Sequence, residues 1–176
     1  MTPDQKQQME NTPFPITFSC IDLILTYKGN LVFITKSYKD KYLRLCGGMV
    51  DTTDLSLKAA MLREAGEELG AKARYINIDD DFTVQSFLTQ DYGRYNPETS
   101  KHRLRTTLFS AEYDYPTTSI PVDGTLKAGD DADGLVLIPI DKLYDIDWVL
   151  NNVAPGHIPL LYYWMGQKYD TNHRLF

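Results

Sequence analysis

The sequence predicts an α/β domain with a mixed sheet, one central helix and a C-terminal helix. Three observations predict it. Stretches rich in Ile, Leu, Val, Phe and Thr recur between turn residues through most of the chain. One segment near residue 60 carries apolar residues at helical spacing, and a second such segment lies close to the C-terminus. The 176 residues fit one ordinary domain, and 43% hydrophobic with 24% charged side chains is enough for a core.

Residues 1–13 read as a loose arm and 14–176 as a single domain. Phe14 to Tyr27 reads as a strand, closed by the turn Lys28-Gly29-Asn30, and Leu31 to Thr35 is its hairpin partner. Leu43 to Cys46 is a short apolar stretch that Gly47-Gly48 breaks, where the backbone must bend or come close to something. A helix is expected over about 55–69, with Leu57, Ala60, Met61, Ala65 and Leu69 at helical spacing. Asp54 or Ser56 can cap it, and Gly70 stands where a C-cap glycine belongs. Further strand-like stretches are Ala73–Ile78, Phe82–Thr89, Leu104–Tyr113 and Leu135–Ile138. Gln90 to His102 and Pro116 to Asp133 lack periodicity and read as long surface loops able to shape a pocket. His157 to Lys168 is a closing helix with Leu160, Leu161 and Trp164 inward.

Composition narrows the function. The balance of 18 Lys+Arg against 24 Asp+Glu gives a net charge of −6, which opposes binding to a phosphate backbone or an anionic membrane. Neither nucleic acid nor membrane is expected as a partner. Cys20 and Cys46 form no Cys-x-x-Cys or Cys/His array, and Met1 to Pro15 is too polar for a signal peptide, so a reducing, cytoplasmic setting is expected.

The most informative stretch is Gly47-Gly48 followed by Arg63-Glu64-Ala65-Gly66-Glu67-Glu68-Leu69-Gly70. Glu64, Glu67 and Glu68 stand at i, i+3 and i+4, so their carboxylates share a helix face and repel by ~0.2–0.5 kcal/mol per pair. Gly66 costs roughly 1 kcal/mol more in a helix interior. A hard divalent cation, Mg²⁺ or Mn²⁺, turns such clustered charge into an asset and leaves positions open for substrate phosphates. The plain reading of an isolated E-x-x-E-E is a solvated helix face. Arg, three Glu and two Gly at fixed spacing, each about one in fifteen by composition, have odds of roughly 10⁻⁵ of occurring anywhere across a chain this long, which favours a metal site.

These residues resemble the box of the Nudix hydrolases, G-x5-E-x7-R-E-U-x-E-E-x-G-U, with U aliphatic. Gly48, Arg63, Glu64, Ala65, Glu67, Glu68, Gly70 and Ala71 take its Gly, Arg, Glu, aliphatic, Glu, Glu, Gly and aliphatic positions. Two departures stand out: the first half is one residue longer than the pattern, Gly48 to Arg63 spanning one step more, and the early Glu, which orients the box arginine, is replaced by Asp54 or lost at Leu55. The resemblance implies a Nudix fold, an α/β/α sandwich with a mixed central sheet. It also implies metal ligation by Glu64, Glu67, Glu68 and the Gly48 carbonyl, with Arg63 bracing Glu67 through an ion pair. The general base would be Glu68, Glu67 or a loop carboxylate.

Beyond the box, four stretches are similar to the ADP-ribose pyrophosphatase branch, in particular Nudix domains joined to nicotinamide mononucleotide adenylyltransferases and those of NAD-metabolism regulators. They are Phe18 to Leu23 (V-T-V-D-like), Ile34-Thr35-Lys36, Arg103-Leu104-Arg105-Thr106-Thr107 (R-G-R-T-I-like) and Gly129-Asp130-Asp131-Ala132 with Val136 to Leu143. Arg103 and Arg105 alternate on one strand face, where they can clamp a diphosphate or simply pair with surface acids. With Lys36 they are the candidate substrate-binding residues. Tyr92 and Tyr95 offer rings for stacking, and His102 lies beside the clamp. His157 stands where relatives carry Asp-His before the last helix and suits capping or packing, while Asp79 to Asp81 and Asp130-Asp131 read as solvated turn residues, with the alternative that Asp131 fixes the loop beside the site.

The expected function is therefore metal-dependent hydrolysis of ADP-ribose or a related nucleoside diphosphate derivative to AMP and ribose 5-phosphate. The rivals are a sensor of ADP-ribose or NAD metabolites without turnover, and an enzyme acting on NADH, dinucleoside polyphosphates or nucleotide-sugars. The resemblance implies a homodimer.

Overall fold

The apolar-rich stretch Cys20 to Leu25, interrupted only by Asp22, becomes the centre of a mixed sheet. The structure, a computed structural model, describes residues 16–82, 84–89, 103–115 and 125–169. Among these residues the strands are β1 (Thr17–Tyr27), β2 (Asn30–Thr35), β3 (Cys46–Met49), β4 (Ile76–Ile78), β5 (Gln85–Thr89), β6 (Arg103–Tyr113) and β7 (Gly134–Pro139). The order is β4-β6-β1-β2-β7, with β3 also on β1 and β5 also on β6. β1 and β6 run parallel; every other pair is antiparallel. The helices are α1 (Leu57–Leu69), α2 (Ile146–Asn152) and α3 (Ile158–Lys168).

β1 is nearly continuous in apolar residues because both its faces are covered. Ile21, Leu23 and Leu25 pack with Ala60, Met61, Ala65 and Leu69 of α1. Ile24 joins Phe33, Leu108, Leu160, Leu161 and Trp164 on the other face, below α2 and α3. Helix, sheet and helices make an α/β/α sandwich, and Leu160, Leu161 and Trp164 point inward as the spacing required.

Local chemistry fixes the ends of the elements. Lys28 and Gly29, at φ 50° and 74°, form a two-residue turn of the hand that suits strand twist, so Asn30 belongs to β2. Ser56, not Asp54, caps α1, its hydroxyl accepting the Ala59 N–H at 3.0 Å. Gly70 ends the helix at φ 62°. Ser56→Ala is expected to cost about 1 kcal/mol, read as a lower urea midpoint with an unchanged slope.

Four expectations change. Gly47 and Gly48 lie inside β3, opposite Asp22 and Ile21, so they do not break a strand, while the close approach expected at them does occur. Residues Ala73–Tyr75 form a 3-10 turn, leaving only Ile76–Ile78 as strand. Phe82 is buried in a turn before β5 starts at Gln85. The helix α2 carries only seven residues, too few for periodicity to stand out; Asp145 caps it by accepting the Trp148 N–H at 3.0 Å. Of the two expected loops, Gln90 to His102 lies outside the described residues, as does the first part of Pro116 to Asp133.

Candidate active site

The site is built where β3 passes under α1. A Cβ at Gly48 would overlap the Glu64 carboxylate, whose Cδ lies 2.6 Å from that position. A Cβ at Gly47 would overlap the Ile21 carbonyl oxygen and come within 2.9 Å of the Asp22 Cα. Gly47 is therefore required by close approach to a neighbouring backbone, whereas Gly48 leaves room for the end of the Glu64 side chain.

On α1, Glu64 and Glu68 turn toward the sheet and are buried, whereas the Glu67 side chain is 46% exposed. Arg63 spans the outer end. Its Nε and Nη2 donate to the two Asp54 oxygens at 3.1 and 2.9 Å, its Nη1 to Glu64 Oε1 at 2.8 Å and Glu67 Oε2 at 2.9 Å. Nη2 also donates to the Met49 carbonyl at 3.0 Å. Asp54 is thus the acid that holds the arginine, while Leu55 is fully exposed. The fork on Asp54, with Glu64 adding, raises the Arg63 pKa, and the guanidinium holds the Asp54 carboxyl below its usual range.

Lys36 spans the inner end and is itself buried. Its Nζ donates to Glu68 Oε1 at 2.6 Å and to Asp131 Oδ1, and the Tyr38 hydroxyl donates to Asp131 Oδ2 at 2.8 Å. The Gly47 N–H donates to Glu68 Oε2 at 2.9 Å. Burial raises the Glu68 pKa, offset only in part by Lys36 and the Gly47 amide; burial likewise raises Glu64 against the pull of Arg63. Burial lowers Lys36, but its bonds to Asp131 and Glu68 outweigh that and leave it raised.

The three glutamates share the helix as their spacing required, yet among the described residues no three His, Cys, Asp or Glu side chains stand close enough to enclose an ion. Arg63 draws Glu64 and Glu67 outward while Lys36 draws Glu68 inward. Arg103 and Arg105 are exposed on β6, on the sheet face that α1 covers; Arg105 lies opposite Ser19, two residues along β1 from the Ile21 that faces Gly48. Tyr92, Tyr95 and His102 lie outside the described residues.

Sequence reasoning missed a second polar group behind β3. Thr106 Oγ1 donates to Asp22 Oδ2 at 2.6 Å, His157 Nδ1 accepts the Leu45 N–H at 2.8 Å, and His157 Nε2 lies 3.6 Å from Asp22 Oδ1. A lone carboxylate inside an apolar strand was the available signal. Asp79, read as a solvated turn residue, instead accepts from Ser110 at 3.3 Å and pairs with Lys168.

Burial pushes Asp22 up to about 7, with Glu68 and Glu64 adding and the Thr106 hydroxyl opposing, and burial pushes His157 down to about 3, with the Arg44 and Lys36 charges adding. Their effects on stability have opposite signs. Asp22 binds its proton more tightly folded than unfolded, so its contribution falls as pH rises from 3.8 to about 7. His157 binds its proton less tightly folded, so its contribution falls as pH drops from 6.5 to about 3. Relative to wild type in EDTA, the Tm of His157→Asn is expected to tilt downward with rising pH across that window, and that of Asp22→Asn upward. Parallel Tm–pH curves for all three proteins would contradict this assignment.

Comparison with solved structures defines the class as a Nudix-fold α/β sandwich. The Ap4A hydrolase binary complex of C. elegans matches with TM-score 0.61 at 14% identity, over 85% of this chain and 96% of that one. The NUDIX domain of Shewanella oneidensis NrtR complexed with ADP ribose matches with TM-score 0.61 at 17% identity, over 95% and 99%. The bifunctional NMN adenylyltransferase/ADP ribose pyrophosphatase of Francisella tularensis matches with TM-score 0.60 at 16% identity, over 94% of this chain but 45% of that one. At such identities the likeness is one of fold. A family model described as NUDIX domain matches residues 14–162, and the chain belongs to the Nudix family. No curated protein sequence matches it. Among the described residues no helix is long and apolar enough to cross a membrane.

Proposed function

We propose that this chain is a pyrophosphohydrolase that splits ADP-ribose, or a nucleoside diphosphate derivative close to it, into AMP and ribose 5-phosphate. The observation that carries the reading is the intact set Glu64, Glu67 and Glu68 on one helix, with Arg63 anchored on Asp54 beside them. The similarity to Nudix structures that bind ADP ribose or are named for its hydrolysis points to the same substrate class.

The donor set fits a hard divalent cation: three carboxylates and a glycine carbonyl offer only oxygen, and the bare Gly48 leaves the space that the Glu64 carboxylate fills. Glu64, Glu67, Glu68 and Gly48 would hold Mg²⁺ or Mn²⁺. Such an ion neutralises a pyrophosphate and acidifies water. The chain's own residues do the rest. Arg63 orients Glu64 and Glu67, and Lys36 with the Gly47 amide orients Glu68. Arg103 and Arg105 take the diphosphate, and Lys36 lies at the inner margin of the same site. Hydrolysis adds hydroxide to one phosphorus and leaves a proton to be carried off as the P–O bond breaks. Glu67, half exposed and reachable by water, is the better placed acceptor than the enclosed Glu68. A homodimer and a cytoplasmic setting belong to the same reading.

A second reading, a binding module without turnover, is favoured by the pairing of all three glutamates with cationic side chains. One assay separates the two: ADP-ribose, NADH, dinucleoside polyphosphates and nucleotide-sugars incubated with protein and Mg²⁺ or Mn²⁺, with products resolved by chromatography. AMP from ADP-ribose is expected. Calorimetric binding of ADP-ribose with no product over hours would establish the module instead.

A further inference from the structure

The strand β3 is a weak element in a demanding place. It has four residues, two of them glycine, yet it must present the Gly47 amide to Glu68 and pack Gly48 against Glu64. Glycine lowers the intrinsic order of a strand, so the height of this segment has to be set from outside it. At its far end Arg63 holds the Met49 carbonyl. At its near end, the Leu45 N–H donates to His157 Nδ1 at 2.8 Å, a bond that reaches 112 residues along the chain.

The imidazole is not itself loose. Because Nδ1 accepts a backbone N–H, the ring is neutral and its proton sits on Nε2, which faces Asp22 Oδ1 at 3.6 Å, a polar contact longer than a hydrogen bond. The other Asp22 oxygen accepts from Thr106 on β6. Asp22 is also the residue opposite Gly47 in the β1–β3 ladder. Side chains from β1, β6 and the turn before α3 therefore meet directly behind Gly47. The Asp22 and His157 side chains are 14% and 18% exposed, and neither belongs to the carboxylate set on α1.

We propose that Asp22 and His157 are positioning residues, a bracket from Thr106 through Asp22 to His157 that fixes the Leu45–Gly48 backbone and so sets the Gly47 amide and Gly48 against Glu68 and Glu64. The bracket acts on the backbone whatever the site binds; its effect on metal affinity rests on the reading given above.

Two measurements on the full chain test it. Amide hydrogen exchange by NMR is read at Leu45 and Gly47, with Ala111 in β6 as the reference for global opening, and Mn²⁺ binding is titrated by electron paramagnetic resonance without substrate. His157→Ala is expected to speed exchange at Leu45 and Gly47 roughly tenfold with Ala111 unchanged. It is also expected to weaken Mn²⁺ binding roughly 10–100-fold, as loss of a supporting partner does elsewhere. His157→Asn, whose carbonyl reaches the Nδ1 position, should restore both. Should the alanine variant not fold, His157→Gln fills the ring's volume but presents its carbonyl at the Nε2 position, and it should reproduce the loss. Unchanged exchange in His157→Ala or His157→Gln, equal acceleration at Ala111, or no rescue by His157→Asn overturns the bracket. Absence of Mn²⁺ binding by the wild type overturns the metal reading instead, and the exchange data alone then decide the bracket.

Discussion

Glu67→Gln is expected to lower the rate of AMP release from ADP-ribose roughly 10²–10⁴-fold, the range a positioned acid–base group supplies, while the Tm stays at the wild-type value. The Glu67 side chain is 46% exposed and its ion pair with Arg63 is one of several that the guanidinium makes, so the fold loses little. Glu68→Gln differs. Its carboxylate accepts from both Lys36 and the Gly47 amide, and an amide has one acceptor oxygen where two are needed. Either Lys36 or the strand then faces an N–H₂ group, and about 1–3 kcal/mol of stability should go with the activity. Initial rates and thermal melts of the two variants, side by side, read the difference. Wild-type turnover in the double variant would remove both residues from the chemistry.

The second large effect is expected at Gly47. Any Cβ there meets the Ile21 carbonyl and the Asp22 backbone of β1, the central strand, which cannot retreat because it is packed on both faces. Gly47→Ala should cost about 1–3 kcal/mol or more, as overpacking does. Gly48→Ala meets the end of the Glu64 side chain, which can swing aside. It should melt close to wild type and lose turnover through a displaced carboxylate. Denaturant midpoints and rates together distinguish a backbone clash from a side-chain one, and equal midpoints for the two variants would contradict the distinction.

Much of this was legible in the residues. The helix was readable because Leu57, Ala60, Met61, Ala65 and Leu69 repeat at one period and Ser56 and Gly70 bracket them. β1 was readable because its apolar run is long enough to be a strand covered twice. β3 was not, since two glycines read as a break wherever the reason for them, a neighbouring strand and a helix at contact distance, is out of view. The acidic helix was visible as repulsion awaiting relief, but the relief found here comes from Arg63 and Lys36, and Lys36 is supplied by a different strand end. The grouping of Asp22, Thr106 and His157 stayed hidden for the same reason: the hydrogen bonds that build it reach 84 and 112 residues along the chain, and no spacing rule spans such distances.

The parallel pairing of β1 with β6 has a consequence for how the chain comes into being. Thr17 pairs with Arg103 and Thr26 with Glu112, each 86 residues further on. A nascent polypeptide leaving the ribosome must therefore hold β1 without its longest partner until some 86 further residues have been made, and contacts of such separation form slowly. Until then the hairpin with β2 is the nearest shelter that β1 has, which makes that early interval the one in which a chaperone would matter most.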